Sequence, residues 1–199
     1  MKAASTAAAA LIVFAGLSAC SKPASKAENA AEPAPVTAAQ DAVGAAVGQT
    51  SAATLGANDT DAFVSNASQS DMYEIEAAKL AQTRSKNPGV VTFAKMMVVQ
   101  HTAMTNQMKP LILAANKAPA ASLDQRRQGF LDNLKAASDA AFDKTYIDQQ
   151  VAAHQEALTL MKGYAEHGDD AGLKGGAAKA VPKIESHLAD AQKLQAGLS

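Results

Sequence analysis

Three of the four histidines, His101, His154 and His187, fall on the apolar stripes of three separate helical segments, and Glu74 falls on a fourth. Imidazole nitrogens and a carboxylate converging in an apolar interior suit one divalent transition metal ion such as Zn, Fe or Cu. Their depths agree. His101 lies fourteen residues after Asn87, His154 fourteen before Gly168, and Glu74 thirteen before Asn87. His187 lies a similar distance into the last helical stretch. At 1.5 Å per residue each sits roughly 20 Å from a turn, near the waist of a bundle. The candidate ligand set is therefore Glu74, His101, His154 and His187.

The competing reading is a buried polar layer whose histidines only stabilise the core and fix its register. Glu76 competes with Glu74 for the inward position, because Met72 and Leu80 beside it are also apolar. His167 precedes Gly168 at a helix end, where a partly positive ring suits the dipole, and it is assigned no function. Met97, Met104 and Met108 share the His101 stripe and read as core filler, although thioethers beside imidazole would favour copper. No glutamate is followed three residues later by histidine, as a di-iron bundle requires, and neither a nucleophile elbow nor HExxH occurs. No catalytic residue is assigned.

The elements that must position these residues are helical, since apolar residues recur at helical spacing from Thr60 onward. The first helix is expected from about Asp61 to Ser85. Asn87 is expected to cap a second that starts at Pro88 and kinks at Pro110. Ser122 with Gln125 resembles a capping box for a shorter helix carrying Leu123, Phe130, Leu131 and Leu134. A third long helix should run from Ser138-Asp139 to about His167, ended by Gly168. A fourth starts between Asp170 and Leu173, weakened or bent by Gly175-Gly176 and Pro182. The expected fold is all-α: a four-helix bundle at residues 60–199, with the short helix as crossover between two hairpins.

The chain begins with Lys2 and an apolar stretch, Ala3 to Gly16, too short to span a bilayer. Leu17-Ser18-Ala19-Cys20 then resembles the lipobox of bacterial lipoproteins. Residues 1–20 are read as a lipoprotein signal with Cys20, the chain's only cysteine, as the lipidated residue. The expected partner is thus the membrane, through that lipid. Ser21 resembles the residue type that permits transfer to an outer membrane, so the protein is expected to be exported and to face the periplasm. Residues 21–59, rich in Ala, Ser, Thr, Gly and Pro, are expected to form a disordered tether. The formal net charge is −1, with no basic cluster, which excludes nucleic acid as an expected partner.

From Thr60 to Leu198 the chain resembles the bacterial envelope family called domain of unknown function 4142. The resemblance rests on Tyr73-Glu74-Ile75 with Lys79-Leu80-Ala81, Phe93-Ala94 through Met97 to His101-Thr102, Phe142-Asp143-Lys144-Thr145-Tyr146 with Val151 and His154-Gln155, and Pro182 before His187-Leu188. It implies a ferritin-like bundle and no particular activity. The family pattern usually has Asp immediately before the first histidine. Here that position is Gln100, so an acid that would orient the imidazole is expected to be missing.

Overall fold

The computed structural model describes residues 38–198; the export signal, Cys20 and the first part of the expected tether lie outside the described residues. Within them there are six helices and no strand: α1 (Ala38–Ala53), α2 (Thr60–Arg84), α3 (Pro88–Ala114), α4 (Gln125–Ala136), α5 (Asp139–His167) and α6 (Ala171–Gly197). Among these, no helix is long and apolar enough to cross a membrane.

The helix starts follow from side chains that satisfy the free N–H groups of a first turn. Asn87 accepts from the Gly89 and Val90 amides ahead of Pro88, Asp59 from that of Ala62, and Asp170 from that of Leu173. Asp124, rather than the expected Ser122, caps α4, its carboxylate accepting from the Arg127 amide at 2.7 Å. Pro110 and Pro182 lie inside continuous helices. Gly168 ends α5 without a left-handed φ. It is glycine because a Cβ there would stand 2.6 Å from the Tyr164 carbonyl oxygen.

Helices α2, α3, α6 and α5 close a ring in that order. Asp71 meets His101 and Gln82 meets Ala94 across α2 and α3, which therefore run antiparallel. Phe63 stacks on Tyr164 and Tyr73 bonds Gln149, so α5 is antiparallel to α2 as well. Helices α3 and α5 are then parallel at opposite corners, and the chain must travel back along the bundle between them. The segment carrying α4 makes that crossover against α2 and α5.

Two apolar clusters fill the ring. One holds Tyr73, Met97, Tyr146, Val151 and Ala191; the other holds Phe63, Ala67, Ala157, Leu160 and Ile184. On α5, His154 falls between Val151 and Ala157; on α6, His187 falls between Ile184 and Ala191. A polar waist thus separates two dry halves.

The expected tether is corrected over residues 38–59, which form α1 and a turn packed on the bundle. Helix α1 lies against α5 and α4. Its small residues make this possible: Ala52 is buried, and a Cβ at Gly48 would overlap the Glu156 carboxylate and stand 2.6 Å from the Arg126 guanidinium. Asp41 accepts from Asn133 at 2.6 Å and from Gln149 at 2.8 Å. The helix docks by close approach and paired polar groups rather than by a large-residue stripe, the feature that composition alone misreads as spacer. Gly48→Ala should cost about 1–3 kcal/mol of stability through overpacking. Urea unfolding of the variant checks this, and an unchanged midpoint would refute the docked position.

Candidate metal centre

Glu74, His101, His154 and His187 are all buried. The three imidazole centroids are 5.2, 5.5 and 5.6 Å apart, and one nitrogen from each ring lies within 4.8 Å of the others. The waist depth expected from helix registers is therefore realised by three rings facing one another.

Each ring is held by its other nitrogen. The Nδ1–H of His101 donates to Asp71 Oδ1 at 2.8 Å, and the Nδ1–H of His154 donates to the Gln150 carbonyl at 2.8 Å. His187 is turned over: its Nε2–H donates to Gln100 Oε1 at 2.8 Å. These tautomers, assigned from the hydrogen-bond network, leave lone pairs on His101 Nε2, His154 Nε2 and His187 Nδ1. Among the described residues, none of those three buried atoms has a partner.

A polar layer that served only the fold would pair its members with one another, since a buried unpaired polar atom is costly. Three lone pairs aimed inward form a donor set that could hold a metal ion with one position left open. Ligand nitrogens on a tetrahedral ion at about 2.0–2.1 Å stand roughly 3.4 Å apart, so modest ring rotations would close the centre.

Glu74, not Glu76, faces inward; Glu76 is exposed. The Glu74 carboxylate lies 3.6 Å from His154 Nδ1, the nitrogen already held by Gln150, whereas the three converging groups are the imidazoles. Among the described residues, both its oxygens lack hydrogen-bond partners, as do the Gln150 side-chain amide and the Tyr146 hydroxyl. Burial pushes the Glu74 carboxyl up to about 8, and the charge of His101 only partly offsets this. It is a neutral acid at pH 7 and a reserve of negative charge beside the centre.

Two partners of the rings escape a sequence reading. The acid sought at position 100 is supplied by Asp71, whose other oxygen accepts from Thr105 at 2.9 Å. Gln100 is itself a ring partner, holding His187. Met97 is core filler as expected, whereas Met104 and Met108 are only half-buried and line a surface cavity. His167 lies outside the centre, half-exposed beside Glu166.

Fold and centre together define a helical bundle with a buried cluster of three histidines. The family described as Domain of unknown function (DUF4142) matches over residues 44–194, and the chain belongs to it. That match begins inside α1, in keeping with a helix that is part of the domain. No curated protein and no solved structure matches the chain.

Proposed function

We propose that this protein binds one divalent transition metal ion through His101, His154 and His187, in a storage, buffering or stress-protection role at the cell envelope. The observation that carries the reading is the convergence of three buried, unpartnered imidazole nitrogens whose opposite nitrogens are fixed by Asp71, Gln150 and Gln100. Such outer partners are what metal-ligating histidines require, since they fix tautomer and ring orientation. A neutral three-nitrogen set with an open position suits Zn or Cu, while Glu74 beside His154 offers the carboxylate that Fe would also accept.

The test is metal analysis of the purified full chain after exposure to Zn(II), Cu(II) and Fe(II) in turn. A Cys20→Ser form removes the only thiol. About one ion per chain is expected, lost in His101→Ala and His154→Ala. Sub-stoichiometric metal with every ion, or retention in both variants, would leave the histidines as core stabilisers.

The envelope placement rests on the lipobox-like Leu17-Ser18-Ala19-Cys20 and the preceding apolar run. We propose a lipid anchor on Cys20, in an outer membrane and facing the periplasm. In cell fractionation, Cys20→Ser should move the protein from the membrane to the soluble fraction; an unchanged membrane pool would remove the anchor.

A further inference from the structure

A cavity of about 380 Å³ opens between α2, α3, α5 and α6, separate from the imidazole cluster but sharing Asp71 with it. Its floor is apolar and adaptable, with Met104, Met108, Leu111, Ile112, Met161 and Ala180. Methionine-lined surfaces accept flexible apolar chains because the unbranched thioether repacks at little cost. The size is that of a small-molecule site.

The polar groups of the inner wall are already engaged. Asp71 accepts from His101 and Thr105, and Ser68 Oγ accepts from the Ala120 amide at 3.1 Å. The rim is cationic: Lys109, Lys179 and Lys183 line the opening and are exposed. Among the described residues, Lys183 donates to Gln100 at 3.1 Å, while Lys109 and Lys179 have neither an ion pair nor a hydrogen bond. An apolar floor under three ammonium groups repels a metal cation despite the thioethers, and it complements a molecule with a hydrocarbon body and a negative head.

We infer that this cavity binds a single-chain amphiphilic anion, a medium-chain carboxylate, with its chain among the methionines and its head at Lys109, Lys179 and Lys183. The site does not depend on the metal reading.

Calorimetric titration of the detergent-free full chain with decanoate, below its micelle concentration, tests this against decyltrimethylammonium of equal chain length. Saturable binding of one decanoate per chain is expected, with the cationic analogue at least tenfold weaker. The double variant Lys109→Glu/Lys179→Glu, at two exposed positions outside the metal centre, should weaken decanoate at least tenfold and leave the thermal midpoint in place. Ala180→Phe, which fills the floor, should abolish binding; if it does not fold, the charge-reversal variant decides. Equal binding of both chains, indifference to the double charge reversal, or no saturable binding would overturn the inference.

Discussion

Glu156→Ala should destabilise the domain by about 3–5 kcal/mol, the loss expected when one partner of a buried ion pair is removed and its counter-charge stays behind. Glu156 on α5 accepts from Arg126 at 2.7 and 2.9 Å and from Arg127 at 2.7 Å. The Arg127 side chain is only 3% exposed, and its remaining anchors are Asp124 and a 3.4 Å bond to Asn66. Without Glu156, that buried guanidinium is left with Asp124 as its carboxylate partner among the described residues. Urea unfolding at constant m should show the loss as a lower midpoint. A change below about 1 kcal/mol would mean the pair is solvated in solution. Replacing Arg127 and Glu156 together by leucines should cost less than Glu156→Ala alone, because the most deeply buried charge, Arg127, is then not stranded, although Arg126 still loses its carboxylate. The same carboxylate is what a side chain at Gly48 would strike, so Gly48→Ala and Glu156→Ala share a partner and should not add.

This network marks where sequence reasoning stops. The long helices and the imidazole layer were legible because helix geometry is rigid: counting turns from Asn87 and Gly168 places His101 and His154 at one depth. The side chains that act between elements were not. Nothing in the pattern of the short helix sets Arg127 apart, yet crossover packing buries it against a glutamate on another element. Asp71 carried a usable signal, because residues paired across the α2–α3 hairpin sit at nearly equal distances from its turn, which places Asp71 opposite His101. Helix α1 carried almost none. Its apolar residues are mainly alanine, and Val43 and Val47 face outward, so periodicity says little where glycine and alanine set the contact.

Metal affinity should fall steeply on acidification, and the slope identifies which groups give up protons. Burial, then the charge of His101, holds His154 well below the ordinary histidine range and His187 at about 3, so both are neutral at pH 6 to 8. His101 differs: burial would lower it, but the Asp71 hydrogen bond and the charges of Glu74 and Asp71 together raise it. Once acidification puts a proton on His101 Nε2, an ion must displace it, and its positive charge should also draw off the proton that burial keeps on Glu74 up to about pH 8. With two protons released per ion, affinity drops about a hundredfold per pH unit once both groups are protonated. Glu74→Gln should reduce the slope to about tenfold per unit, because only the His101 proton remains. Asp71→Asn removes the charge that raises His101 and weakens its bond to the ring, so it should weaken binding about 10–100-fold and flatten the profile near neutrality. Competition against a chelator of known proton linkage, from pH 5.5 to 8.5, reads all three slopes. A slope of three in the unaltered protein would mean that His154 or His187 is also charged before loading, and a flat profile would mean that the ion does not meet His101; either result excludes the centre described above.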